Sequence, residues 1–279
     1  MESSRPEVRD GQPLIHRPLR FGTFLAPNLF GVYEFITRYA AEKLGVPTEL
    51  FVGTSYDQVL DQVDVAFLCG LPYVELAARS DPPVEPLAAP VLQGARYGGR
   101  PVYFSDVIVH RDGPFRSFAD LRGCTWSYNE PHSHSGYGLT RYHLWRLGET
   151  DGYFGKVVEA GWHERSIRLV CSGEADASAI DSHVLAVEAR DHPELFARLR
   201  VVETLGPSTI QPVVAARRLP DWLKADLLQV LLSLGDDPVA RDCLHRSCVE
   251  RFVPVTDAAY DDIREMLAAV ESAEFLAIR

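Results

Sequence analysis

The sequence predicts an α/β fold of two lobes, each a mostly parallel sheet flanked by helices, with a cleft between them. Three observations carry this. The chain opens on a β-α-β-α-β alternation, the pattern of a parallel sheet with helices on its faces. A long β-rich run, RPVYFSDVIVHRDG (100–113), interrupts it, and the alternation then starts afresh. Two extended segments, near 101–109 and 201–215, give the chain two crossings between the units. The first lobe is therefore discontinuous, 19–104 with 210–279; the second runs over 105–209, and 1–18 is an N-terminal leader.

Each element has a local reason. LRFGTFL (19–25) reads as a strand, and Leu29, Tyr33, Ile36, Ala40 and Leu44 form one face of a helix that Gly45 stops. TELFVG is a second strand, SYDQVLDQ a short helix, VDVAFLC a buried strand and LPYVELAARS a helix. In the second unit, SFADLRG is a short helix and CTWSYNE a strand, and a helix over 135–148 closes at Gly148. DGYFGKVVEAG (151–161) and SIRLVCSGE read as helices, ADASAID as a short buried strand, SHVLAVEARD as a helix and RLRVVETL as a strand. After GPSTIQPVVAARRLP the chain is expected to be helical to its end, over 221–234, 238–247 and 257–276.

At 279 residues and 46% hydrophobic, the chain can bury a large core. Its net charge of -11 excludes a sequence-blind grip on nucleic acid or on an anionic membrane, both of which need a basic face. A small anion is still admissible, because donors lining a pocket can oppose the sign of the whole surface. No apolar run is long enough to span a bilayer, so no membrane insertion is expected. The stretch MESSRPEVRDGQPLIHRP lacks an apolar signal core. The chain is accordingly expected in the periplasm if a signal has been trimmed and in the cytoplasm if this N-terminus is native. Cys69, Cys124, Cys171, Cys243 and Cys248 are odd in number and without CxxC spacing, which reads as reduced, buried thiols.

The stretch with chemical content is NEPHSHSGYG (129–138), directly ahead of an apolar-periodic helix. The first turn of a helix leaves backbone N–H groups without intrahelical partners and concentrates partial positive charge there, which suits an oxyanion. Ser133 and Ser135 add hydroxyl donors, Gly136 admits close approach, and Pro131 fixes the loop. Either serine could instead simply cap the helix. In the layout above, this turn belongs at the interlobe cleft, where carboxyl ends of strands meet amino ends of helices.

With these residues in place, the chain resembles the phosphonate-binding family of periplasmic solute receptors for ABC importers, a branch of the type II periplasmic-binding-protein fold. The family pattern, an acidic or polar residue and proline followed by Ser-Thr-Ser-Gly-Tyr at a helix start, stands here as NEPHSHSGYG with His134 in place of threonine. Further matching segments are LRFGTFLAPN, YAAEKLGVPTELFVGTSYDQVLDQVDVAFLCGLPYVE, VYFSDVIVHRDGPFRSFADLRGCTWSYNEP and HERSIRLVCSGEADASAIDSHVL. The resemblance implies oxyanion contacts from Ser133, His134 and Ser135, hydroxyl donation from Tyr56 and Tyr103, and a histidine near the ligand at His163. It also implies an ABC permease as partner. Taken alone, either tyrosine would read as packing. Where amine-binding relatives place carboxylates, this chain has His183 and Gln211, with Asp181 the remaining acid nearby, so an ammonium on the ligand is not expected.

His134 admits two roles, a protonated imidazole that strengthens anion binding or a neutral side chain that fills space. The stretch fails the G-x-S-x-G pattern of serine hydrolases. His132, His134, His163 and His183 lack the spacing of a zinc site, so no metal and no cofactor are expected. The leading reading is capture of a small tetrahedral oxyanion of phosphonate, phosphate or phosphite type, without bond making. The alternative is a cytoplasmic enzyme or sensor on the same fold, using His134, His163, Glu164 and Asp181 to move protons on a small anionic metabolite.

Overall fold

The computed structural model describes residues 17–278 and the backbone of a short antiparallel ribbon, β1 (Val8–Arg9) with β2 (Gln12–Pro13). The expected leader lies for its greater part outside the described residues. The remaining strands are β3 (Leu19–Thr23), β4 (Thr48–Val52), β5 (Val65–Phe67), β6 (Val84–Leu92), β7 (Val102–His110), β8 (Thr125–Tyr128), β9 (Lys156–Glu159), β10 (Ala177–Asp181), β11 (Leu199–Thr209), β12 (Val213–Ala216) and β13 (Val249–Pro254). The helices are α1 (Phe30–Leu44), α2 (Gln58–Asp61), α3 (Gly70–Ala77), α4 (Leu139–Arg146), α5 (His163–Ser172), α6 (Ser182–Asp191), α7 (Pro193–Phe196), α8 (Asp221–Ser233), α9 (Pro238–Arg246) and α10 (Asp261–Ser272).

The strands form two mixed sheets. One is six-stranded, ordered β13-β6-β12-β5-β3-β4, and the other five-stranded, ordered β11-β7-β10-β8-β9. Parallel pairs β4/β3/β5 and β9/β8/β10 form one side of each sheet, and antiparallel strands complete the other. This is the periplasmic-binding-protein fold. The chain passes from one sheet to the other between β6 and β7 and returns through Ile210, Gln211 and Pro212, which place Gln211 at the junction.

Local signals explain most elements. Helix α1 buries Val32, Tyr33, Ile36 and Ala40 and ends on Gly45, whose φ of 67° lies in the left-handed region that glycine tolerates. The Asp237 carboxylate accepts from the amides of Val239 and Ala240 at the start of α9, where Pro238 cannot donate. Helix α10 joins the two halves: Ile263 packs among residues of the six-stranded sheet, whereas Val270 packs with Val107, Trp126 and Leu139 of the other half.

The structure departs from the sequence expectations in four places. Residues 151–161 are not helical: Val157 and Val158 lie in β9, paired in parallel with β8. Their β-branched side chains suit a pleat, and glycines at 152, 155 and 161 disfavour a helix across them. The chain is not helical throughout after residue 220, because β13 intervenes and extends the six-stranded sheet on β6. Strand β6, over Val84–Leu92, had no counterpart in the sequence reading. Finally, the helix expected over 135–148 begins as a π turn, His134–Gly138, before α4.

Candidate functional site

A cavity lies where the two sheets meet, at the carboxyl ends of β3, β5, β8 and β10. Ser133, Ser135, Asn129 and Glu130 line it from the β8–α4 turn, His163 and Trp162 from the start of α5, Asp181 and Val184 from the β10–α6 junction, and Gln211 from the crossing. Phe24, Leu25, Ala26, Leu29 and Cys69 close it from the six-stranded sheet.

The β8–α4 turn is built around Ser133. Its hydroxyl accepts from the Gly136 amide at 3.0 Å, and its carbonyl accepts from the amides of Tyr137 at 3.2 Å and Gly138 at 2.9 Å. Because the Ser133 oxygen acts as acceptor toward Gly136, its own proton is left to point elsewhere, with Ser135 Oγ 3.4 Å away. The His134 amide donates to Cys69 Sγ at 3.4 Å. The start of this helix is thus partly satisfied by protein atoms, and the serine hydroxyls are the groups it presents to the cavity. Gly136 is there because a side chain could not be: a Cβ would stand 2.0 Å from Asn129 Oδ1 and 3.1 Å from His163 Cε1.

Ser135 Oγ and His163 Nε2 are 3.0 Å apart, and the Ser135 carbonyl accepts from Ser105 Oγ at 2.7 Å. Burial drives the His163 pKa down to about 3, so the ring is neutral at pH 7. Its Nδ1 has no hydrogen-bond partner among the described residues. A serine beside a histidine invites a nucleophile reading, but a catalytic base needs basicity and a group that orients its far nitrogen, and this ring has neither. In the tautomer that carries its proton on Nε2, His163 would donate to Ser135 Oγ and leave the Ser135 proton for an acceptor in the cavity.

The other expected residues separate. His134 is 2% exposed and turns from the cavity: its Nε2 lies 2.9 Å from Ser208 Oγ, which donates to Asp262 Oδ2 at 2.7 Å. Desolvation lowers its pKa to about 4 against the opposing pull of Asp262. Tyr103 is buried with its ring centroid 6.4 Å from that of His134, and its hydroxyl is unpartnered among the described residues. Tyr56 donates to Glu130 Oε1 at 2.8 Å and stacks on Phe24, so it sits behind the cavity wall. His183 faces away, its Nε2 2.6 Å from the Ser247 carbonyl. Asp181 lines the cavity, but Oδ1 accepts from the His183 amide at 2.7 Å and Oδ2 accepts from Gln211 Nε2. Burial raises its pKa to about 6.

The sequence reading missed Asn129, Glu130 and Trp162, as well as the apolar wall. Asn129 and Glu130 begin the stretch already singled out, and Phe24 to Ala26 follow the carboxyl end of the first parallel strand, so the ligand rule for open α/β sheets could have found them. Among the described residues no group of three or more His, Cys, Asp or Glu could hold a metal ion, and no helix is long and apolar enough to cross a membrane. The five cysteines are free.

Two mixed sheets thus meet at a partly open cavity lined by serine hydroxyls and apolar side chains. A family profile described as the ABC transporter, phosphonate, periplasmic substrate-binding protein matches residues 28–260. The chain belongs to that family. It is 23% identical over 235 residues to the phosphonates-binding periplasmic protein of Escherichia coli K12, a match covering 81% of this chain and 68% of that protein. Its fold is similar to that of a binding-protein component of an ABC phosphonate transporter from Pseudomonas aeruginosa, with a TM-score of 0.81, 20% identity, and coverage of 92% of this chain and 88% of that one. It is also similar to PhnD1 of Prochlorococcus marinus in complex with methylphosphonate, with a TM-score of 0.78, 18% identity, and coverage of 92% and 98%.

Proposed function

We propose that this chain is the periplasmic receptor of an ABC importer and that it holds a small phosphonate-type oxyanion in the cavity at the sheet junction. The observation that carries this is the pair Ser133 and Ser135, both buried and cavity-lining, with Ser135 backed by neutral His163 at 3.0 Å. Hydroxyl donors held by a capped turn need little reorganisation to meet negative oxygen atoms. Charge-assisted hydrogen bonds contribute on the order of 1.5 to 3 kcal/mol each, so a few support about micromolar affinity after the cost of ordering. His134 and Tyr56 act behind the wall, fixing the turn and Glu130, His183 is held by the Ser247 carbonyl, and the buried Tyr103 hydroxyl, unpartnered among the described residues, remains a candidate donor to the ligand. Gly136 serves by leaving room for Asn129.

The lobes under this reading are 19–104 with 210–279, and 105–209, with α10 spanning both. Its partners are the small anion and a membrane permease that receives the closed receptor.

Calorimetric titration of the purified protein with methylphosphonate, phosphite and inorganic phosphate tests the site. At least one should bind, unchanged on recovery, and Ser135→Ala should weaken it about tenfold or more. Unaltered affinity in that variant would refute the assignment, and consumption of the ligand would refute a receptor role.

A further inference from the structure

His134 stands between the two cavity serines, yet its side chain leaves the cavity, and a chain of polar groups fixes where it goes. Ser208 Oγ donates its single proton to Asp262 Oδ2 at 2.7 Å. Toward His134 Nε2, 2.9 Å away, that oxygen can then only accept, so the ring carries its proton on Nε2. Burial lowers the His134 pKa to about 4, so at pH 7 the ring is neutral and Nδ1 holds the lone pair. Nδ1 lies over Gly138, where a Cβ would stand 2.9 Å from it. The backbone of His134 is engaged as well: its amide donates to Cys69 Sγ at 3.4 Å and its carbonyl accepts from the Leu139 amide.

Asp262 does not itself line the cavity. It belongs to the first turn of α10, beside Ile263, which packs with the six-stranded half. Its Oδ2 also accepts from the Thr209 amide at 2.8 Å, while Oδ1 has no hydrogen-bond partner among the described residues. The carboxylate is thus committed, through one oxygen, to the end of β11 that reaches His134. Rotation of the His134 ring would break its bond to Ser208, and rotation about its backbone would carry Ser133 and Ser135 with it. Resting on the oxyanion reading above, we infer that Asp262 is a positioning residue for the binding turn: acting through Ser208, it holds His134 as the Nε2–H tautomer and thereby aims the flanking serine hydroxyls at the ligand.

Two measurements test this. Nitrogen NMR of the imidazole rings at pH 7, with the His134 signals identified by their loss in His134→Gln, should show Nε2 protonated in wild type and a mixture of tautomers in Ser208→Ala and Asp262→Ala. Calorimetric titration with methylphosphonate, phosphite and inorganic phosphate, each variant held well below its own melting temperature, gives the consequence for binding. The anion that binds wild type most tightly should be weakened about two- to tenfold by Ser208→Ala, Asp262→Ala and His134→Leu, and held near wild type by His134→Gln, whose amide keeps an N–H for Ser208. Because the three residues act as one chain, Asp262→Ala should weaken binding little further once Ser208→Ala is in place. The inference is overturned if wild-type His134 carries its proton on Nδ1, if Asp262→Ala leaves binding at wild-type strength, or if it weakens Ser208→Ala as much as it weakens wild type. Failure of wild type to bind any of the three anions would bring down the oxyanion reading and this inference with it. An intact Nε2–H signal would tell that result from a failure of the hydrogen-bond chain, since the tautomer is read without ligand.

Discussion

Asn28 donates from its backbone to Glu164 Oε1 at 2.9 Å, tying the turn before α1 to the first turn of α5 across 136 residues of sequence. Its side-chain amide extends the clasp to the Val184 carbonyl at 3.1 Å and to Glu188 Oε1 at 3.2 Å. One residue of the first unit is thereby fastened to two helices of the second, beside the cavity. If the two units open and close around a ligand as proposed, these bonds would be made or broken.

Replacing Asn28 with alanine removes the two side-chain donors and leaves the backbone one. Each such bond is worth about 0.5 to 1.5 kcal/mol net. Ligand affinity should fall by about five- to a hundredfold, chiefly through faster release, as measured by stopped-flow dissociation. An unchanged release rate would mean that the clasp does not hold the closed form.

Gly136→Ala should be far more damaging than a glycine-to-alanine change usually is. The added methyl meets Asn129 Oδ1, and the turn must shift. Overpacking of this kind costs about 1 to 3 kcal/mol, so thermal unfolding should move several degrees lower and ligand binding should be lost. A variant that keeps both wild-type melting and wild-type affinity would show that Asn129 relaxes freely.

The stability of the protein should depend on pH through His163. Its folded pKa, about 3, lies below the ordinary value of 6.5, so between those limits the unfolded chain takes up a proton that the folded chain refuses. Its contribution is therefore present above pH 6.5 and is lost as pH falls below it. His134 and His183, each lowered to about 4 by burial, act in the same direction, whereas Asp181, raised to about 6, opposes them between pH 6 and 4. His163→Gln isolates one member: its melting temperature should fall less between pH 7 and pH 5 than that of wild type. A parallel fall would place the titration elsewhere.

The buried carboxylate of Asp64 gathers Arg17 at 2.5 and 2.7 Å, the Arg20 amide at 3.0 Å and Arg218 at 3.1 Å. Asp64→Ala removes the shared acceptor of the Arg20 amide and of two partly exposed guanidinium groups and should destabilise the fold by about 1.5 to 3 kcal/mol, read as a lower denaturant midpoint. Binding measured well below that midpoint should stay near wild type, since Asp64 lies away from the cavity-lining residues.

The sequence by itself determined the class of fold, the order of most elements and the turn that matters. These follow from short-range causes: the helical face from Leu29 to Ala40, the stop at Gly45, and Pro131, Ser133 and Gly136 crowded before an apolar helix. Only the tertiary structure decided that Val157 and Val249 lie in strands, because a strand exists by virtue of a partner that may be far away in sequence, as β6 is for β13. It also decided which side chains of the turn face the cavity. A π turn has no period that a one-dimensional reading can count, so Ser135 faces His163 while its neighbour His134 faces Ser208 and Asp262. Asp181 illustrates the same limit, since the amide that engages it belongs to Gln211, 30 residues on, and reaches it only once the chain has crossed between the sheets.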